Sequence, residues 1–217
     1  MADKMIAQFN RGEHDAAIQE AVRRIDDKPT DPKRYATLAT MLIGIKAYDE
    51  ASQLLLKALG LFPGDVELTY DAGLLAYAQE NFALAVRYFQ QLTQGALAAD
   101  AQYMLALSYQ QLNQPARALA FALTAHEADL TRLDAAELAA ELLLGLGVFE
   151  QAAALLKPFR KVQDAKVLFT YGMAESGAGR DGSRWLEAAE KLDPKGYKAQ
   201  AGRVRDIAGF LKVQRND

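Results

Sequence analysis

The 217-residue chain contains no cysteine. Disulfides, thiolate metal sites and cysteine nucleophiles are therefore excluded, and the composition suits a reducing compartment. Histidine occurs twice, at His14 and His126, and tryptophan once, at Trp185. No apolar run approaches the roughly 20 residues of a membrane span. The N-terminal stretch MADKMIAQFNRGEHD carries charge from residue 3 onward and lacks the apolar core of a secretory signal, so the expected location is the cytoplasm. The formal net charge is -3, which offers no general attraction to nucleic acid or to an anionic membrane, and neither is expected as a partner.

What is present is the profile of a folded helical protein. Hydrophobic residues make up 51% of the chain and charged residues 24%, as in ordinary soluble domains. Ala, Leu, Gln and Glu dominate, and apolar residues recur three and four apart, a helical period. The segments AYDEASQLLLKAL, NFALAVRYFQQL, QPARALAFALTA and VFEQAAALLKPF share one layout: a bulky residue or proline, a small alanine three residues on, then an apolar face. Their alanines, Ala51, Ala85, Ala118 and Ala152, stand 34, 33 and 34 residues apart, and Ala17 lies 34 before Ala51. A second series precedes them: Ala39, Gly73, Ala106, Ala140 and Gly172 are spaced by 34, 33, 34 and 32 residues.

This pattern resembles the tetratricopeptide repeat, a helix–turn–helix unit of about 34 residues. Tyr35, Leu38, Ala39 and Leu42 carry the likeness on one first helix, Tyr48, Ala51, Leu55 and Ala58 on the second, and Pro63 closes the unit. Gly73, Phe82, Ala85 and Phe89 match it in the next unit, while the family's tryptophan is absent from every first helix. The resemblance implies an all-α fold, a right-handed superhelix (α-solenoid) of antiparallel helix pairs in a single domain. The expected boundaries are a partial repeat over 1–29, repeats over 30–64, 65–97, 98–130, 131–162 and 163–193, and a capping helix and tail over 194–217. Local signals agree: Asp31 before Pro32, and Asp193 before Pro194, read as helix N-caps, and Thr131 with Asp134 as an approximate capping box. Gly73 is expected opposite Ala85, and Tyr48, Phe82 and Phe149 are expected to open second helices and wedge against the following unit.

The resemblance also implies where a partner would lie, because first helices line the inner surface of such a repeat. The residues expected there are Lys33, Thr37, Thr40, Glu67, Tyr70, Asp71, Leu74, Tyr77, Asp100, Tyr103, Met104, Leu107, Asp134, Glu137, Glu141, Lys166, Phe169, Thr170 and Met173. One subgroup of the family grips the C-terminal carboxylate of chaperones with Lys, Asn and Arg. Here Ala36, Thr40, Asp71, Asp100 and Met104 stand at the matching places, so a chaperone EEVD tail is not an expected ligand. Residues 65–150 hold 11 acidic and 3 basic residues, a net of -8, and residues 151–217 hold 8 acidic and 13 basic, a net of +5. An acidic middle favours a basic or amphipathic partner segment and also fits head-to-tail self-association, acidic centre against basic end. Separately, the shortened first helix leaves an end that could pair with a second copy as a homodimer.

The function expected from these readings is a non-enzymatic adaptor or scaffold that holds a segment of a partner protein. A small-peptide-sensing regulator is the alternative. An enzyme is a distant third: His14 and His126 lie at least three repeats apart, and no HExxH, GxSxG or Walker motif occurs. No cofactor or metal is expected. GAGRDG, Gly177 to Gly182, does fit G-x-G-x-x-G. That fingerprint requires a strand before it, whereas DAKVLFTYGMAES reads as a first helix, so these glycines are expected in the turn of the fifth pair.

Overall fold

The computed structural model describes residues 2–202. Two compact units divide the chain, Met1–Gln114 and Pro115–Asp217. The first contains α1 (Ala2–Asn10), α2 (His14–Asp27), α3 (Pro32–Gly44), α4 (Tyr48–Leu61), α5 (Val66–Ala78), α6 (Phe82–Phe89) and α7 (Ala98–Gln111). The second contains α8 (Pro115–Ala128), α9 (Leu133–Gly145), α10 (Phe149–Leu156), α11 (Ala165–Gly177) and α12 (Ser183–Leu192), with a short 3-10 turn at Lys157–Phe159. There is no strand among the described residues. In each unit consecutive helices pack, and first helices also pack on one another, α3 on α5 and α9 on α11. The architecture is thus an all-α repeat of helix pairs, the arrangement of a solenoid.

One turn geometry recurs. Gly12, Lys46, Glu80, Asn113, Gly147 and Gly179 have φ between 54° and 87°, and each stands two residues beyond the end of α1, α3, α5, α7, α9 or α11. The amide after each left-handed residue reaches back to a carbonyl five residues earlier: Ala47 to Leu42 at 2.9 Å, Asn81 to Ala76 at 2.8 Å, Val148 to Leu143 at 2.9 Å, Arg180 to Glu175 at 2.9 Å. This is the Schellman closure, which satisfies carbonyls that a helix end leaves open. The following helix then starts within a few residues, so the two run antiparallel.

The small-residue series lies where helices cross. Ala17, Ala39, Ala51, Ala85, Ala106, Ala118, Ala140 and Ala152 all have 0% exposure. At Gly73 a Cβ would stand 2.6 Å from the ring of Phe89. The space in front of Gly73 is taken by the fully buried Phe89, one turn beyond Ala85. Tyr48, Phe82 and Phe149 do open α4, α6 and α10. Phe149 reaches α11 in the next pair, where it lies on Gly177, whereas Phe82 packs edge-on against Tyr77 of its own pair, ring centres 5.3 Å apart.

Several helix starts are capped as the sequence implies. Asp31 accepts from the Lys33 amide at 3.3 Å, with Pro32 in the first turn. Asp65 caps α5, Asn81 caps α6 and Asp164 caps α11. Thr131 is a correction: Arg132 is the N-cap of α9 and makes no side-chain cap bond, while the Thr131 hydroxyl donates to Asp129 at 2.6 Å. Residues 194–202 are helical, opened by an Asp193 carboxylate that accepts the Gly196 amide at 2.9 Å. Tyr197 and Ala201 pack on Leu168, Phe169 and Ala189. The rest of the expected capping helix and tail, including Arg203, Arg205, Lys212 and Arg215, lies outside the described residues. Among the described residues no helix is long and apolar enough to cross a membrane.

Candidate partner-binding surfaces

In the first unit the spacing of four and three residues puts Lys33, Thr37 and Thr40 on one stripe of α3, and Tyr70, Leu74 and Tyr77 on one stripe of α5. Glu67 and Asp71 flank the second stripe, and α7 carries Asp100, Tyr103, Met104 and Leu107. Lys33, Thr40 and Glu67 are exposed; Thr37, Tyr70, Leu74, Tyr77, Asp100, Tyr103 and Leu107 are half-buried; Asp71 and Met104 are buried. Tyr70 stands edge-on to Phe89 with ring centres 5.5 Å apart, and Tyr77 is hydrogen-bonded to Gln111. These rings are therefore held in place by the interior while part of each remains at the surface. Lys33 and Thr37 also line an open cleft of about 430 Å³ together with Met5, Ile6, Arg24 and Asp27.

α3 and α5 meet through a polar contact. The Thr40 hydroxyl donates to Asp71 Oδ1 at 3.3 Å and to its own helix at Ala36 O, 3.0 Å away. Burial pushes the Asp71 carboxyl up to about 7; the Thr40 bond opposes the shift, and the charges of Glu67 and Asp65 add to it.

The second unit is built differently. α9 carries Asp134, Glu137 and Glu141, and α11 carries Lys166, Phe169, Thr170 and Met173. Lys166 Nζ lies 2.7 Å from Glu137 Oε2 and 3.2 Å from Glu141 Oε2. Glu137 is 8% exposed, and its Oε1 has no hydrogen-bond partner. Burial raises its pKa, and the bond to Lys166 opposes the rise. Asp134 is exposed and pairs with Arg132 at 2.9 Å. Phe169 and Thr170 are buried, Phe169 against Tyr197 with ring centres 5.4 Å apart, and Met173 is half-buried. The acids that read as a stripe in sequence are here matched by cations from the same unit.

Sequence spacing gave no sign of another tie. Arg180 holds Glu150 at 2.8 Å and Glu175 at 3.0 Å, joining residues 30 apart across a pair boundary. His126, in the last turn of α8, is 8% exposed, its ring centre is 6.3 Å from that of Phe159, and its Nδ1 has no hydrogen-bond partner. His14 is exposed and stacks on Phe9 at 4.7 Å. Among the described residues no group of three or more His, Cys, Asp or Glu could hold a metal ion.

The glycine motif is consumed by helix packing. Gly177 ends α11 and Gly182 caps α12. A Cβ on Gly177 would overlap Phe149, and one on Gly182 would overlap the Gly172 carbonyl. Gly179 supplies the left-handed turn, with φ 78°. No strand precedes them, and the dinucleotide-binding geometry is not formed.

No protein-family model matches the chain. It is 26% identical over 86 residues to the TPR repeat-containing protein MJ1428 of Methanocaldococcus jannaschii; the match takes in 40% of this chain and 15% of that relative's length. Among solved structures it is similar to YrrB, a TPR protein with an unusual peptide-binding site, at 21% identity over 84% of this chain and 97% of the other, with a TM-score of 0.67. It is similar to pilF of Pseudomonas aeruginosa at 16% identity over 94% and 95% of the two chains, TM-score 0.81. PilW, a widely conserved type IV pilus biogenesis factor, matches at 15% identity over 89% and 92%, TM-score 0.75. Taken with the recurrent turn and the buried small-residue series, these likenesses give the chain the fold of a tetratricopeptide-like helical repeat.

Proposed function

We propose that this chain is a non-enzymatic interaction module whose first-helix faces hold a segment of a partner protein. The observation that carries the reading is the half-buried row Tyr70, Leu74 and Tyr77 on α5, with Tyr103 and Leu107 on α7. Rings already fixed at one edge lose little freedom when a partner covers the other, and such aromatic residues anchor interfaces. The peptide-binding site of YrrB supports the reading by analogy of fold.

The partner's chemistry differs between the units. Lys166 neutralises the acids of α9, so a preference for a basic or amphipathic segment belongs to the first unit, where Glu67 is exposed beside the aromatic row. The same acids disfavour a chaperone EEVD tail and a nucleic-acid backbone. The proposed setting is the cytoplasm, with no membrane partner, and homodimer formation is compatible with the uneven charge.

The test is site-specific photocrosslinking in full-length protein, with a benzophenone amino acid at Tyr70, at Tyr103, or at Leu56, which is 78% exposed on α4. The expected result is a protein adduct from positions 70 and 103, absent at 56 and lost on adding Leu74→Arg. Equal adducts at all three positions, or none, would overturn the proposal.

A further inference from the structure

Asp71 is a carboxylate in a place where the repeat does not ask for one. Its register equivalents, 34 residues before it and 33, 67 and 99 after it, are Thr37, Met104, Leu138 and Thr170, all uncharged. The packing of α5 therefore needs no charge at this position, and burying a carboxylate costs free energy unless it is paired. Asp71 is 6% exposed, and its hydrogen bond among the described residues is the 3.3 Å contact from Thr40 to Oδ1. The charges that act on it are acidic, Glu67 one turn away and Asp65 at the helix start; none comes from α3, α4 or α6, which pack on α5. The contrast with Glu137 is direct, since that buried acid has Lys166 at 2.7 Å. The sealed side-chain atoms lacking a partner among the described residues are His126 Nδ1 and Glu137 Oε1; Asp71 is not among them and keeps 6% of its surface exposed, on the helix that also carries Tyr70 and Leu74.

We propose that Asp71, oriented by Thr40 and assisted by Glu67, forms a subsite on the α3–α5 face that takes a lysine or arginine side chain of the bound protein segment. The assignment rests on reading that face as the partner-binding surface. A cation from outside supplies what the fold withholds: a charge-assisted bond to a desolvated carboxylate, with Tyr70 and Leu74 offering apolar surface to the flanking residues. Thr40 and Glu67 fix the geometry and the local potential; Asp71 makes the ion pair. Because Asp71 ionises near neutrality, the subsite is strengthened as pH rises from 6 to 8.

The test pans phage-displayed random heptapeptides on full-length wild-type protein and on Asp71→Asn, with circular dichroism confirming the variant's fold. Asp71→Thr, the residue found at two equivalent positions, replaces it if the asparagine variant does not fold. The expected wild-type pool is enriched in Lys or Arg flanked by apolar residues, and the variant's pool is not. A synthetic peptide from the wild-type pool should bind the variant about ten-fold more weakly, the scale of one charge-assisted bond. Its affinity for wild type should rise up to about ten-fold from pH 6 to 8, as a carboxyl titrating near 7 requires, and stay flat in the variant. Pools enriched without a cation, or equal binding to both proteins, would overturn the subsite alone. If no peptide is enriched on either protein, the peptide-holding surface fails and the subsite with it.

Discussion

Phe149 occupies the volume that a side chain on Gly177 would need. The ring opens α10 and the glycine ends α11, so this contact joins one helix pair to the next. Gly177→Ala is expected to destabilise the protein by about 1–3 kcal/mol, the usual cost of overpacking, read as a lower urea midpoint with an unchanged slope. Gly60, in α4, is the control: a Cβ there meets nothing within 4 Å. Gly60→Ala is expected to stabilise by about 0.5–1 kcal/mol through reduced chain entropy and better helix propensity.

The recurrent left-handed turn gives a pair of substitutions of opposite sign. Glu80 has φ 60° and Gly147 has φ 74° at equivalent positions. A side chain in this region costs roughly 1–2 kcal/mol. Glu80→Gly should recover part of that cost, raising the thermal midpoint, and Gly147→Ala should lower it. If both changes move the midpoint the same way, the turn geometry is not what sets their effect.

Asp71 makes stability depend on pH in an unusual direction. Its carboxyl is raised from 3.8 to about 7, chiefly by burial, so between these values the folded state holds a proton that the unfolded state has lost. The contribution is fully present below about pH 4 and is lost as pH climbs through 7. Subtracting the profile of Asp71→Asn from that of wild type isolates it from other carboxylates, such as Glu175 beside Arg180, whose pKa is lowered. The difference should favour the variant by on the order of 2–4 kcal/mol at pH 8 and shrink toward pH 4, at about 1.4 kcal/mol per pKa unit. A flat difference across that window would contradict the burial of this charge.

Lys166→Met should cost about 1–3 kcal/mol, because it strands the buried Glu137 carboxylate. The loss should be larger at pH 8 than at pH 5, since without Lys166 the carboxyl shifts further up and its charged form is penalised above that value. Adding Glu137→Gln should restore most of the stability. A double-mutant cycle showing no coupling would mean that the 2.7 Å ion pair contributes nothing net.

The repeat was legible because its determinants are local and periodic. Small residues spaced by 34, 33, 34 and 32 mark the places where helices cross, and the chain has no freedom to put Ala39 or Ala85 elsewhere once the helices form. What escaped depends on rotamers and on partners far apart in sequence. Spacing placed Gly73 opposite Ala85 without showing that the ring of Phe89, one turn on, fills the space in front of it. It placed Glu137 on an inner face without showing that Lys166, 29 residues away, turns back to it. It gave Asp71 the same standing as Glu67, although the two lie one turn apart on α5 and the step from the exposed first turn toward the helix middle takes one carboxylate into the interior and leaves the other in water. Thr131 looked like a cap because Asp134 stands three residues beyond it, whereas the helix opens one residue later, at Arg132.

The turn inside a pair is short and regular: three residues separate the two helices in the first five pairs and five in the last, and every first helix stops two residues before its left-handed residue, from Gly12 to Gly179. Connections between pairs differ, four residues between α4 and α5 but eight between α6 and α7. Adding one residue to a three-residue turn would break the left-handed closure that sets how the next helix leaves, such as the Ala47 amide on the Leu42 carbonyl, and would move that helix's buried alanine from its crossing. The same insertion between pairs only lengthens a strap. Foreign sequence grafted into this protein therefore has a natural address, the 90–97 connection, and a forbidden one, the three-residue joints around Lys46 and Glu80.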